Sequence, residues 1–234
     1  MPSLPQAVFF DMDGTILDWQ TGMEERWLAA CEAHCDGSFV PATMHAAIRT
    51  RREWYWDDPE RARSGRLDLD AASRAIVRHA FADAQLEDVD LADRIAHDYR
   101  ADRLALTKPY AGAIETLQTL RARGVPMALL TNGGAAGQRE SIEHHDIGRY
   151  FECVIIEGEF GIGKPDERVF RHAFGALSGE PATTWMVGDS LEADIAPALA
   201  LGMHAVWVAA DGQELPNGGS VQPDRIVRAI RELV

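Results

Sequence analysis

The sequence predicts an α/β core of parallel strands carrying a separate helical insert. Three observations support this. Short runs that are apolar on both faces recur along the chain. Most are followed by a segment with helical spacing. The gap between the first two runs is also far too long for a loop and is helical in pattern. Strands buried on both faces of a parallel sheet read as continuous apolar runs. Their alternation with helices is the mark of a layered α/β core.

The runs are Ala7-Val8-Phe9-Phe10, Met127-Ala128-Leu129-Leu130, Cys153-Val154-Ile155-Ile156, Trp185-Met186-Val187 and Ala205-Val206-Trp207-Val208. Between and after them, helices are expected near 110–123, 136–146, 166–178, 191–200 and 223–233. Within the long gap, apolar residues such as Ile76, Val77, Ala80 and Phe81, then Leu91, Ile95 and Tyr99, recur at helical spacing. Four helices are expected there, at 21–36, 41–56, 70–84 and 88–106. Structureless loops of this length are foreign to compact domains, so the insert should form its own small four-helix, bundle-like unit. The expected division is a core of 1–17 and 107–234 and an insert of 18–106, with hinges near 15–20 and 106–110. Lys108-Pro109-Tyr110 suits a return linker, because a residue before proline avoids helix. Residues 211–222 read as a mobile surface loop rich in turn formers.

Composition bounds the function. The 234 residues carry 37 acidic and 23 basic side chains, a formal charge of -14. This argues against binding nucleic-acid polymers, which requires basic residues to displace counterions. A small anionic substrate remains compatible, since local charge can oppose the global sign. The opening Met-Pro-Ser-Leu-Pro-Gln has no basic region of the signal-peptide kind, and no apolar run is long enough to span a bilayer. Cytoplasmic residence without membrane attachment is expected. The three cysteines, Cys31, Cys35 and Cys153, do not form a disulfide framework. Cys31, His34 and Cys35 cluster, but no second pair at ligand spacing completes a zinc site.

The ends of the apolar runs carry the chemistry. Ligands of open parallel sheets bind beyond the carboxyl ends of the strands. There stand Asp11 and Asp13, then Thr131, Asn132, Gly133 and Gly134, then at a distance Lys164, then Asp189, Ser190 and Asp194. Carboxylates brought within 4 Å repel by about 4 kcal/mol per pair at an effective dielectric near 20. A divalent cation relieves this, and oxygen ligands with room for waters suit magnesium. Such a centre attracts a phosphate. The Thr131 hydroxyl and the Asn132 and Gly133 amides can donate to it, and Lys164 balances its charge. Phosphoryl transfer needs little beyond positioning and neutralisation. A carboxylate can serve as nucleophile, and a second one two residues on can carry the proton.

The set Asp11-Met12-Asp13-Gly14-Thr15, Thr131-Asn132-Gly133, Lys164-Pro165-Asp166 and Gly188-Asp189-Ser190 with Asp194 resembles the haloacid dehalogenase superfamily. The resemblance covers nearly the whole chain. It implies a Rossmann-like sheet with helices on both faces and a helical cap inserted after the first motif. It also implies roles. Asp11 would be nucleophile and metal ligand. Asp13 would be general acid and base, binding the metal through its backbone carbonyl. Thr131, with Asn132 and Gly133, would bind phosphate. Lys164 would position and neutralise Asp11 and the phosphoryl group. Asp189 would be the third protein ligand to Mg2+, and Asp194 would support the site from behind. The stretch Ile156–Phe170 resembles the nucleotide and acylneuraminate phosphatase branch. A small phosphorylated metabolite, a nucleoside monophosphate or sugar phosphate, is the implied substrate.

Alternatives follow from single residues. The family's dehalogenases lack an acid at the position of Asp13, so Asp13 favours phosphate esters. A sugar-phosphate mutase would share these motifs, as would a binding protein that kept the fold without turnover. Asp194 alone reads equally as a helix N-cap, with Pro197 in the first turn. Gly158–Lys164 mimics a nucleotide-binding P-loop, but Pro165 stands where Ser or Thr must bind magnesium. In the insert, Trp54, Tyr55 and Trp56 follow Arg49, Arg51 and Arg52. The favoured reading places the aromatics in the insert's core and the arginines in solvent. Trp19, just after the first motif, is a candidate for lining the substrate pocket.

Overall fold

The computed structural model describes residues 5–101, 103–209, 213–216 and 218–234. The chain divides into two compact units. One runs to Trp19 and resumes at Lys108; the other is Gln20–Thr107. The first opens with β1 (Ala7–Phe10) and β2 (Leu17–Asp18). The second contains α1 (Met23–Ala33), α2 (Pro41–Asp57), α3 (Pro59–Leu67), α4 (Leu69–Asp83), α5 (Val89–Ala101) and α6 (Arg103–Leu106). The first then resumes with β3 (Lys108–Pro109), α7 (Ala113–Ala122), β4 (Met127–Thr131), α8 (Ala135–His144), β5 (Cys153–Ile156), α9 (Glu157–Phe160) and α10 (Glu167–Leu177). It ends with β6 (Thr184–Gly188), a π-helical turn at Leu191–Ile195, α11 (Ala196–Ala200), β7 (His204–Val208) and β8 (Arg225–Val227).

Six strands form an α/β sheet in the order β5-β4-β1-β6-β7-β8. Every pairing in it is parallel. β1 lies inside the sheet, and the chain builds outward from it first to β4 and β5, then to β6, β7 and β8. Side chains alternate between two apolar layers. Val8, Phe10, Leu129, Val187 and Val206 face the layer that includes Leu117 of α7 and Ile142 of α8. Phe9, Leu130, Met186 and Ala205 face the layer that includes Val169, Phe170 and Ala173 of α10 and Ala198 of α11. This period-two alternation under helices on both faces explains why the runs read as continuously apolar. Phe170 is fully buried, and its truncation to alanine would cost about 3–5 kcal/mol.

The second unit has its own core. Trp27, Cys31, Met44, Ile48, Ile76, Val77, Phe81, Leu91 and Ile95 pack together, and Tyr99 stacks on Trp27 with ring centroids 3.5 Å apart. Burial pushes the Cys31 thiol up to about 11, as suits a packing residue. Cys31, Cys35 and Cys153 are all free.

Four expectations need correction. The 223–233 segment is strand β8 followed by a 3-10 turn at Ile230–Leu233, because Val227 closes the sheet edge while Ile226 points outward. The insert has an additional helix, α3, whose Pro59 sits in the first turn under an Asp58 cap. The Arg61 N–H donates to Asp58 Oδ1 at 2.8 Å. The aromatic–arginine cluster is only partly as expected: Tyr55 packs against the core and Arg49 is exposed, but Trp54 and Trp56 are exposed and Arg51 and Arg52 are half-buried in ion pairs with Asp83 and Glu24. The boundaries fall at 19/20 and 107/108, where the sequence reading put them at 17/18 and 106/107. Of the expected loop at 211–222, residues 211, 212 and 217 lie outside the described residues; the rest is free of helix and strand. No helix among the described residues is long and apolar enough to cross a membrane.

Candidate active site

The site is built at the carboxyl ends of β1, β4 and β6, where the strand order turns around β1. Such a switch point leaves a crevice outside the strand ends. Asp11 follows β1, and its N–H donates to Val187 O at 2.9 Å, which ties the strand end to β6. The next residues turn tightly. The N–H groups of Ile16 and Leu17 both donate to Met12 O, and Gly14 has φ +88°. Only glycine fits there, since a Cβ on Gly14 would lie 2.2 Å from Asp189 Oδ2.

Lys164 is the electrostatic centre. Its Nζ donates to Asp11 Oδ1 at 2.8 Å and to Asp194 Oδ1 at 2.6 Å, and all three side chains are almost wholly buried. Burial works against the ammonium charge, but Asp11 and Asp194 outweigh it and hold Lys164 above the usual lysine range. One ammonium cannot satisfy every acid present. Burial pushes Asp194 up to about 6 against the pull of Lys164. Burial, followed by the charges of Asp11 and Asp194, pushes Asp189 up to about 8.

Ligand atoms of Asp11, Asp189 and Asp194 lie within 4.8 Å of one another, the one such cluster among the described residues. Asp11 Oδ2 is buried without a hydrogen-bond partner. An orphaned carboxylate oxygen in a net-acidic, all-oxygen cluster fits a hard divalent cation. Asp194 has both oxygens engaged, Oδ1 by Lys164 and Oδ2 by the Ser190 N–H at 3.1 Å. That leaves Asp11 and Asp189 as the carboxylates open to an ion. Asp194 is also not the N-cap of its helix. Ser190 fills that role, its Oγ accepting from the Ala193 N–H at 3.0 Å, and Pro197 does fall in the first turn of α11.

The β4 loop closes the site from the other side. The Asn132 side chain clamps Lys164: Nδ2 donates to Lys164 O and Oδ1 accepts from the Lys164 N–H, each at 2.8 Å. The Lys164–Pro165 peptide is cis. The Gly133 N–H, expected to donate to phosphate, instead donates to the buried Glu157 Oε2 at 3.1 Å. Thr131 ends β4 with its hydroxyl buried beside Gln138, whose Nε2 donates to Thr131 Oγ1 at 2.6 Å and to Asp13 Oδ2 at 2.9 Å. Asp11, Asp13, Thr131, Asn132, Lys164, Asp189 and Asp194 are thus gathered in one place. Trp19, half-buried, follows β2 at the end of the first unit's opening segment. Gln138 and Glu157 are the two site residues that strand-end reasoning missed. Gln138 sits one turn into α8, and the signal for it was a glutamine on the first turn of the helix after the Thr-Asn-Gly-Gly loop.

A phosphoserine phosphatase of Thermus thermophilus is 40% identical over 124 residues, 53% of this chain and 49% of that protein. The chain thus spans about half the length of that curated relative. An N-acylneuraminate-9-phosphatase of Mus musculus is 27% identical over 248 residues, covering 97% of this chain and 92% of that protein. Among solved structures, the hydrolase YfnB of Bacillus subtilis bound to magnesium superposes with a TM-score of 0.75 at 21% identity, over 99% of this chain and 97% of that one; at this identity the likeness is one of fold. The family model for haloacid dehalogenase-like hydrolases matches residues 5–202, so the chain belongs to that family.

Proposed function

We propose that this chain is a Mg2+-dependent phosphomonoester hydrolase that works through a phosphorylated Asp11 on a small phosphorylated metabolite. The observation that carries this is the buried Asp11 carboxylate. Lys164 holds one of its oxygens and the other is without a partner, and a second acid, Asp13, stands two residues on. The phosphatase names of the relatives support it.

In this mechanism the Asp11 carboxylate attacks phosphorus. The bond from phosphorus to the leaving oxygen breaks, and Asp13 gives that oxygen its proton. Water then attacks the phosphoryl group with Asp13 taking its proton, and the Asp11–phosphorus bond breaks to release phosphate. Lys164 and the Thr131 hydroxyl bind the equatorial oxygens and offset their charge. Asn132 fixes Lys164, Gly133 lets the loop approach, and Asp194 holds Lys164 from behind. Asp11 and Asp189, with the Asp13 carbonyl, would hold Mg2+, which supplies charge neutralisation for the phosphoryl group. Trp19 is proposed to line the substrate pocket.

The test is a panel of phosphomonoesters, including nucleoside monophosphates, sugar phosphates and p-nitrophenyl phosphate, assayed with and without Mg2+. Phosphate release that needs Mg2+ is expected. Activity undiminished by chelation, or absence of release from every ester, overturns the reading.

A further inference from the structure

We infer that Gln138 is a positioning residue for proton delivery, holding Asp13 by one oxygen so that the other carries the proton to the leaving group. The inference rests on the phosphatase reading above. Gln138 is 3% exposed, although glutamine normally lies in solvent. Its amide nitrogen lies within hydrogen-bond reach of three acceptors: Asp13 Oδ2 at 2.9 Å, Thr131 Oγ1 at 2.6 Å and Asn132 O at 3.1 Å. Two of these, a carboxylate oxygen and a carbonyl, require a donor, which fixes the orientation of the amide. The loop is shaped around the side chain. Gly133 has φ +132°, and a Cβ there would press on Gln138 Cγ and Cδ at 3.2 Å.

This arrangement links the proton carrier to the phosphoryl-binding hydroxyl. With Oδ2 taken by the Gln138 N–H, the transferable proton of Asp13 sits on Oδ1. As the bond to the leaving group breaks, that proton moves to the departing oxygen and Asp13 becomes a carboxylate. A hydrogen bond to a carboxylate is about twice as strong as one to a neutral acid. The Gln138 bond therefore strengthens during the step it assists, which is the kind of contact that lowers a barrier. The same amide nitrogen lies 2.6 Å from Thr131 Oγ1, so one side chain touches both the proton carrier and the phosphoryl-binding hydroxyl.

The test compares kcat/KM for two esters in Gln138→Met, which keeps the side chain's length without its donor. One ester is an alkyl phosphate, whose leaving oxygen needs a proton; the other is p-nitrophenyl phosphate, whose leaving group does not. Loss of general-acid help is worth roughly 100-fold or more where it is needed. The alkyl ester is expected to lose at least about 30-fold and the aryl ester less than about 3-fold. Equal losses for both esters, or no loss, overturn the inference, because a residue that only supports the loop affects both alike. Should the methionine variant fail to fold, Gln138→Glu fills the same socket and is expected to show the same selective loss. A wild-type chain inactive on every ester removes the phosphatase reading itself; an active wild type with unselective losses removes only the role of Gln138.

Discussion

The two units both contain surface ion pairs, yet among the described residues the sheet unit alone also seals some inside. In the helical unit the pairs keep a partner in solvent: Arg51 with Asp83, Arg78 with Asp93, and Arg100 with Asp70 lie around an apolar core. In the sheet unit, besides surface pairs such as Arg139 with Glu159, the pairs of Lys164 with Asp11 and Asp194 are sealed inside, next to a further acid, Asp189. Surface pairs add little stability, with a median of about 0–1 kcal/mol. Buried ones are rarely a stabilising choice, because desolvation offsets attraction. The contrast teaches that the helical unit is arranged for folding and the strand ends for chemistry.

The strongest way to break this contrast is to remove its chemical half. Asp11→Asn should abolish phosphate release, by roughly 1,000-fold or more on nucleophile loss, while circular dichroism stays native. Residual turnover near wild type would show that the buried cluster is structural. Next is Lys164→Met. It strands two buried carboxylates and should destabilise the fold by about 3–5 kcal/mol in denaturant unfolding, since removing one partner of a buried pair leaves an uncompensated charge. A smaller effect is expected from pH. Asp189 is pushed up from 3.8 to about 8, so the folded state favours its protonated form. Its contribution is full below about pH 4 and is lost as pH rises towards 8. The melting temperature of the metal-free chain should fall across that window, and added Mg2+ should raise it more at pH 8 than at pH 5. An equal rise at both would place the ion elsewhere. The smallest effect belongs to the helical unit. Arg78→Ala should change stability by less than about 1 kcal/mol, and less again in high salt, as melting curves at two ionic strengths would show.

The sheet was legible because its strands are sealed on both faces, so β1, β4, β5, β6 and β7 each stand out as unbroken apolar words. β8 did not. Ile226, Val227, Ile230 and Leu233 imitate helical spacing, and only the edge register with β7 resolves them into a strand and a short turn. α3 was hidden because Pro59–Leu67 has no apolar stripe, only Ala62 and Leu67 beside its charges, and its proline suggests a break, where in fact Asp58 makes it a start. Trp54 and Trp56 misled because aromatic character outweighed the capacity of Arg51 and Arg52 to bury their stems beside partners. Most of the candidate site was readable, since Asp11, Thr131, Asp189 and their neighbours are polar at places where strands end. Gln138 was not, because its place on a helix becomes meaningful only once the sheet is assembled, and Glu157, directly after β5, was passed over for the more distant Lys164.

The short ribbon of β2 and β3 has a consequence for how such a protein can change. Leu17 pairs with Pro109 and Asp18 with Lys108, so the stalk by which the helical segment is grafted into the chain enters and leaves at neighbouring points. To the sheet unit, everything between those points is a closed loop. Doubling such a loop costs only about 0.6 kcal/mol in closure entropy. A lineage, or an engineer, can therefore exchange the graft for a longer, shorter or unrelated one and leave the scaffold's own stability almost untouched.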